Sequence, residues 1–553
     1  MTGSISIALA QTNPVVGDVT GNANKVRSAR DRAAELGANL VVTGELSIPG
    51  YPPEDLVLRP SFQEAAKQQV EVLASETADG GPAVLLGSIW QDKGCLYNAA
   101  ILLDEGEIKS IRYKYDLPNY GVFDEKRIFQ SGPLPGPINF RGVRLGVMIC
   151  EDMWGTEVTE CLQESGAQLL IVLNGSPYSL EKWDQRLSFA SARVGESGLP
   201  LVYVNQVGGQ DELVFDGGSF VLGSDRILRV RCSDWFEDLQ LSRWELQSGE
   251  WSCLAGGVAQ QEDDEASVYS AMMLGLRDYV KKNGFPGVLI GLSGGIDSAL
   301  TAAVAVDALG SDNVHCLMMP SPYTSIESLE DAASCAEMLG VRLDEINIGP
   351  AMEAFDRMTA SLFQGAPSDT TEENIQSRSR GLTLMALSNK TGSMVVSTGN
   401  KSEMSVGYAT LYGDMCGGYS VLKDVYKTQV FELSLWRNKN KPLGGLGPSS
   451  SVMPNRIITK PPSAELKPDQ TDQDTLPPYD VLDQILSCLI ERDLGVDATV
   501  AKGHDRELVA RVWQMLLLAE YKRRQAPPGV KISERSFGRD RRYPITDGFK
   551  KQT

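Results

Sequence analysis

The chain has 553 residues, enough for two large domains that each bury a core. Hydrophobic residues make up 42% and charged residues 22%, ordinary for a globular protein, while the net charge of -20 speaks against nucleic acid as a partner, since phosphate backbones need basic surface. Nine scattered cysteines without a Cys-x-x-Cys pair disfavour a zinc site and fit a reducing cytoplasm, and with only His315 and His504 present a Ser-His-Asp triad or multi-histidine metal centre is all but excluded.

The first residues alternate like a strand over 5–10 and lack a basic leader, so no signal peptide is expected. No apolar run approaches the length of a membrane span. Ala23–Leu36 reads as an amphipathic helix stopped by Gly37, and Leu40–Thr43 as a buried strand delivering Gly44-Glu45. A helix over 61–76, strands at Ala83–Trp90, Asn98–Leu103 and Ile108–Tyr115, and a strand Arg144–Ile149 follow. This alternation predicts an α/β layered domain. Leu169–Leu173 and Leu201–Asn205 read as strands, Glu181–Glu196 as a helix and Gly217–Val230 as a hairpin.

Taken alone, Glu45 is a loop carboxylate and Lys114 a solvated charge. Cys150 stands at a strand-to-helix turn, where backbone N–H groups can lower a thiol pKa and bind an oxyanion. An isolated buried cysteine is nevertheless more often structural. Together, Gly44-Glu45-Leu46, Lys114-Tyr115-Asp116-Leu117-Pro118 and Met148-Ile149-Cys150-Glu151-Asp152 resemble the three active segments of the nitrilase (carbon–nitrogen hydrolase) superfamily. The resemblance covers about residues 1–245 and implies an αββα sandwich. It also implies a triad with Glu45 as general base, Cys150 as nucleophile and Lys114 as oxyanion stabiliser. Without histidine a carboxylate must take the thiol proton, which agrees. Glu125 matches a second glutamate of the superfamily. Asp116, where many members carry His, points to the glutaminase branch, in which Tyr120, Ser176 and Lys182 would contact glutamine.

Gln240 to about Glu265 is polar and acidic and reads as linker, which places the domains at 1–245 and 266–553 with 246–265 between them. Val268–Lys282 reads as a helix. Val288–Ala299 then combines a short apolar strand, a glycine loop and the start of a buried helix, which makes an anion site. No Lys-Ser or Lys-Thr follows the glycines, so this is not a Walker P-loop. Strands at Val314–Met319, Arg342–Ile348 and Met394–Asn400 alternate with helices at Ser328–Leu339 and Asn374–Asn389. That order predicts a doubly wound parallel sheet with ligands at the strand C-termini. Asp297 and Glu403 are candidate Mg²⁺ ligands, although Asp297 could instead only cap its helix. Asn374 with Arg378, and Gln376 with Arg380, share helix faces that are either solvated or clamp an anion. Residues 440–478 read as a flexible loop, a candidate lid.

Ser293-Gly294-Gly295-Ile296-Asp297-Ser298 resembles the loop of the ATP pyrophosphatases. Glu373–Gly381, Ser397–Glu403, Pro462-Ser463-Ala464-Glu465-Leu466 and Phe537–Arg542 are similar to NAD⁺ synthetase motifs, and the whole chain resembles the glutamine-dependent NAD⁺ synthetase family. The resemblance implies that Gly291, Leu292, Ser293, Gly294, Gly295, Ile296, Asp297, Ser298 and Thr398 hold ATP. It further implies that Asn374, Glu403 and Lys522 contact deamido-NAD⁺, with Mg²⁺ on Asp297 and Glu403. A basic helix end such as the one carrying Lys522 is also common for solubility alone. Expected with it are glutamine as nitrogen donor, an internal ammonia channel, a homo-oligomer and a cytoplasmic location. The rival is another amidotransferase of this type with a different acceptor.

Overall fold

The computed structural model describes residues 3–467 and 470–548, and the chain divides into two compact units, Met1–Glu262 and Asp263–Thr553. The first unit is built on two sheets. One orders its strands Glu250–Cys253, Asp238–Gln247, Ser4–Gln11, Leu40–Val42, Ala83–Asp92, Cys95–Asp104 and Glu107–Tyr113. The other orders Leu228–Arg231, Phe220–Leu222, Leu201–Asn205, Leu169–Asn174, Val143–Ile149 and Ile138–Phe140. In each sheet the central three strands run parallel and the flanking ones antiparallel.

Side-chain alternation decides which face goes where. Ile5, Ile7, Leu9, Leu40 and Val42 of the first sheet meet Val147, Ile149, Ile171 and Leu173 of the second in one core. The intervening residues point the other way. Ala8, Ala10 and Val41 pack on the helix Val19–Glu35, and Val84 and Leu86 on the helix Pro60–Glu76. Met148, Leu170 and Val172 are covered by the helices Glu157–Glu164 and Lys182–Ser197. Helix, sheet, sheet and helix thus form the expected αββα sandwich.

The polar stretch from Gln240 onward is not all linker. Residues 240–247 complete a strand paired with Ser4–Gln11, and Glu250–Cys253 adds the edge strand beside it. Trp244, Trp251 and Cys253 carry the burial there, spaced too widely among charged residues for a strand pattern to stand out.

The second unit holds five parallel strands in the order Arg342–Glu345, Val314–Met318, Val288–Gly291, Met394–Ser397, Tyr419–Ser420. The first strand in the chain lies in the middle, so connections leave it towards both edges and a crevice opens at its C-terminal end. The helix Ile296–Leu309 is buried on every side. Thr370–Thr391 packs through Leu384 on Leu289, Leu317 and Val395. The helices Tyr479–Ile490 and Arg506–Leu518 form a separate apolar cluster.

The stretch 440–478 differs from its reading as a flexible loop. It carries the short helix Asn455–Thr459, and Val452, Met453, Ile457 and Leu476 are buried. Asn438 Nδ2 donates to Met453 O at 2.9 Å and Arg437 to Pro448 O at 2.8 Å, which pins the segment. Among the described residues no helix is long and apolar enough to cross a membrane.

Candidate active sites

In the first unit Glu45 follows the strand Leu40–Val42, Lys114 follows Glu107–Tyr113 and Cys150 follows Val143–Ile149. All three are buried. Lys114 Nζ donates to Glu45 Oε1 at 2.7 Å and to both oxygens of Glu125 at 2.9 and 2.8 Å. Glu45 Oε1 also accepts from Asn98 Nδ2 at 2.7 Å, and its Oε2 from Gly175 N at 3.0 Å. The absence of a side chain at Gly175 allows this, since a Cβ there would meet the Tyr51 ring at 2.9 Å. Tyr51 OH donates to Glu125 Oε1 at 3.1 Å. Lys114, which alone reads as a surface charge, is therefore a fully buried ammonium between two carboxylates. Burial opposes its charge, but Glu125 and Glu45 outweigh burial and raise its pKa.

Cys150 opens a short 3-10 helix, Cys150–Met153, with φ +47, a backbone region that non-glycine residues rarely occupy. Burial pushes its thiol pKa up, Glu45 adds to that, and Lys114 opposes it. The resting thiol therefore keeps its proton and has a carboxylate close by to take it. Asp152 holds the geometry. Its Oδ2 accepts from Ile149 N at 3.0 Å, while Oδ1 accepts from Tyr115 N at 3.0 Å and Asp116 N at 2.8 Å. One buried carboxylate thus ties the cysteine turn to the lysine segment. Neither Asp152 nor Asn98 stands out in the sequence, because an acid beside an acid and a strand asparagine carry no spacing signal.

The glutamine-contact candidates separate into two groups. Tyr120 is exposed and donates to Glu151 at 3.0 Å, while Lys182 lies 4.3 Å over the Trp154 ring and its charge acts on Glu151. These gather around the residue next to the thiol. Ser176 is buried, and its Oγ accepts from Arg186 Nε at 3.1 Å. Arg186 is itself paired with Asp216 at 2.7 Å.

In the second unit a cavity of about 300 Å³ opens at the strand C-termini. It is lined by Gly291, Leu292, Ser293, Gly295, Ile296, Asp297 and Ser298, together with Thr398 and Glu403. Gly294 lies behind the loop. Its φ is +81, and a Cβ there would sit 2.2 Å from Ser328 O. Ser298 Oγ donates to Gly295 O at 2.9 Å and Gly295 N donates to Ser293 Oγ at 3.2 Å, which shapes the turn. Asn400 caps the helix after the fourth strand by accepting from Glu403 N at 3.0 Å, and its Nδ2 donates to Asp297 Oδ1 at 2.8 Å. The loops after the first and fourth strands are joined in this way at the crevice.

Lys427, which the motifs do not single out, lies between the two acids. Its Nζ bonds Asp297 Oδ2 and, at 3.0 Å, Glu403 Oε1. Among the described residues no group of three or more His, Cys, Asp or Glu side chains forms a metal site. Part of the cavity wall comes from residues 457–466, which are tied to the helix Ile326–Leu339 beside the glycine loop. Lys460 Nζ donates to Asp331 at 2.9 Å, and Glu465 Oε1 accepts from Ser325 Oγ and Ser328 Oγ, each at 2.8 Å.

Asn374 and Lys522 do not line this cavity. They converge on the turn after Glu403, where Asn374 Oδ1 accepts from Thr410 Oγ1 at 3.0 Å and Lys522 Nζ donates to Gly407 O at 2.7 Å and Ala409 O at 2.6 Å. Arg380 lines the cavity and donates to Met319 O at 3.1 Å, while Arg378 donates to Leu411 O at 3.2 Å.

Residues 6–250 match the carbon-nitrogen hydrolase family and residues 268–526 the NAD synthase family. The glutamine-dependent NAD(+) synthetase of Rhodobacter capsulatus is 46% identical over 553 residues, covering 100% of both chains. That of Acinetobacter baylyi is 43% identical, covering 99% of each. Among solved structures, glutamine-dependent NAD+ synthetase from Acinetobacter baumannii in complex with ADP is 42% identical with a TM-score of 0.79, covering 99% of both chains. The enzyme of that name from Cytophaga hutchinsonii shares the fold at 22% identity and a TM-score of 0.83, over 100% of this chain and 99% of that one. With a buried Glu–Lys–Cys centre in one unit and a glycine-looped crevice in the other, the chain belongs to the glutamine-dependent NAD(+) synthetase family.

Proposed function

We propose that the chain carries out its glutamine-dependent synthesis of NAD⁺ at two separate centres, each with its own residues. Glu45 takes the proton of Cys150, and the thiolate attacks the side-chain amide of glutamine. The Lys114 ammonium stabilises the tetrahedral oxyanion, Glu45 passes its proton to the leaving nitrogen so that ammonia departs, and water, giving its proton to Glu45, hydrolyses the thioester to glutamate and returns the thiol. Glu125 shares Lys114 with Glu45. Its carboxyl is pushed up to about 7 by burial against the pull of Lys114, and it holds the ammonium in place. Tyr120, Ser176 and Lys182 hold the amino-acid end of glutamine, with the Lys182 cation suited to a carboxylate.

At the second centre the nicotinate carboxylate of deamido-NAD⁺ attacks the α-phosphate of ATP, and pyrophosphate leaves. Ammonia then displaces AMP to give the amide. Residues Gly291–Ser298 and Thr398 hold the nucleotide through backbone N–H groups and the start of the helix Ile296–Leu309. The Acinetobacter baumannii protein was solved in complex with ADP, which supports an adenine nucleotide as a ligand of this chain. Asn374, Glu403 and Lys522 contact deamido-NAD⁺, the first and last from either side of the turn after Glu403. Asp297 and Glu403 offer hard oxygen donors, and the space between them already accepts the cation of Lys427. They fit Mg²⁺ completed by phosphate oxygens, and that ion would offset phosphate charge. Two domains that divide at Glu262, a homo-oligomer in the cytoplasm and retention of ammonia within the protein complete the reading.

The observation that carries it is the shared ammonium, Lys114 between Glu45 and Glu125 beside Cys150. The test is Cys150→Ala assayed with deamido-NAD⁺ and ATP. Glutamine-driven turnover is expected to fall at least about a thousandfold, while turnover with added ammonium salt persists. Loss of both would overturn the division of labour.

A further inference from the structure

Lys427 opens the helix Lys427–Lys439, and its surroundings leave it little freedom. Its backbone N–H donates to Ser402 Oγ at 2.8 Å. Ser402 Oγ donates to Asp483, which also accepts from Thr428 N at 2.9 Å. The first turn of this helix is thereby fastened to the helix Tyr479–Ile490. The Lys427 side chain is 2% exposed and lines the cavity. That group bonds Asp297 Oδ2, lies 3.0 Å from Glu403 Oε1 and sits 5.3 Å from the centre of the Tyr479 ring. Asp472 also faces it from the cavity wall. Asp472 Oδ2 accepts from Tyr479 OH at 2.8 Å, and the same carboxylate is hydrogen-bonded to Tyr408. Tyr408 borders the same acids.

Three carboxylates therefore surround one ammonium. Removing that charge would leave Asp297 and Glu403 largely desolvated and unpaired, which is strongly unfavourable. The ammonium also uses the same oxygens that a divalent ion would need, and two cations cannot share that space. A phosphate chain changes the balance, because its oxygens are the strongest alternative acceptors for an ammonium. Lys427 can then leave the carboxylates without losing a partner, and the carboxylates can take a metal without losing a counter-charge.

We propose that Lys427 is a resident cation that closes the Asp297–Glu403 pair to free divalent metal, so that the pair accepts only a metal delivered with nucleotide phosphates. Lys427 is then a specificity-determining residue for the form in which the metal enters. This rests on the assignment of Asp297 and Glu403 as the metal site.

The test is Mn²⁺ binding to the full-length protein, followed by electron paramagnetic resonance and water-proton relaxation, with and without α,β-methylene ATP. The wild type is expected to bind Mn²⁺ only with the nucleotide. Lys427→Met is expected to bind Mn²⁺ alone at least about tenfold more tightly than the wild type, the double variant with Asp297→Asn to lose that gain, and Lys427→Arg to behave as the wild type. Equal Mn²⁺ affinity of the wild type with and without nucleotide, or no gain in Lys427→Met, would overturn the inference. Should Lys427→Met fail to give a cooperative melt, the two wild-type measurements still decide. No protein-dependent Mn²⁺ signal even with nucleotide would instead remove the metal assignment itself.

Discussion

At Cys150 the two neighbouring charges act in opposite directions on the thiol, and this separates reactivity from catalysis. Burial and the Glu45 carboxylate hold the thiol pKa up, and Lys114 pulls it down. Because the folded pKa lies above the ordinary thiol value, the thiolate fraction and hence alkylation by iodoacetamide rise only at alkaline pH. Glu45→Gln removes a negative charge, so its alkylation limb is expected to move to lower pH and its rate at neutral pH to increase. The same change removes the general base, so glutamine hydrolysis is expected to fall by about 10²–10⁴-fold. Lys114→Met is expected to move the limb the other way, to higher pH. The paired measurement is the alkylation rate against pH beside the glutaminase rate. Slower alkylation in Glu45→Gln would contradict the charge assignment. The importance of Lys114 is invisible in composition. A lysine in a mostly polar strand end reads as surface, and only the fold shows that Glu45, 69 residues away, and Glu125, 11 residues away, enclose it.

The strand, turn and helix at Val288–Leu309 act as one element, and its glycines are not equivalent. Gly294 combines φ +81 with an approach to Ser328 O that leaves no room for a Cβ, while Gly295 has a negative φ and meets only Ser293 Oγ at 3.3 Å. Gly294→Ala must therefore shift the loop away from the helix Ile326–Leu339, a backbone cost of about 1–3 kcal/mol. Its melting temperature and ATP affinity are expected to fall together, the affinity by about tenfold. Gly295→Ala is expected to keep the melting temperature of the wild type. Equal melting of the two variants would contradict the contact. This element is legible from sequence because an apolar run, glycines and an alanine-rich helix coincide. Other elements are not. The helix Gly349–Phe363 has Met352, Phe355, Met358 and Leu362 on one face but buries no residue and leaves Met358 and Leu362 exposed, so the pattern does not lead to a core. The described residues of 440–478 are held by a few isolated anchors and by bonds to distant residues such as Ser325, Ser328 and Asp331, which no local period can encode. Lys427 was unreadable for the same reason, since its partners lie 130 and 24 residues away.

Across the whole molecule the two chemistries share only ammonia. Free ammonia is largely protonated near neutral pH, and an ammonium ion is no nucleophile, so release into solvent would waste most of the nitrogen. The acidic surface implied by a net charge of -20 would not repel that cation, so the proposed retention of ammonia does not rest on the outer field of the protein. Two damaged proteins can expose the difference. Cys150→Ala keeps the synthetase centre and Asp297→Asn keeps the glutaminase centre, so their mixture can make NAD⁺ from glutamine only by way of dissolved ammonia. The mixture is expected to show a lag in NAD⁺ formation and to stop when glutamate dehydrogenase, 2-oxoglutarate and NADPH remove ammonia. The wild type is expected to show no lag and to lose little of its rate to the same scavenger. Equal sensitivity of wild type and mixture would mean that ammonia escapes between the two reactions, and the two centres would then be coupled by nothing more than the peptide bond that joins their domains.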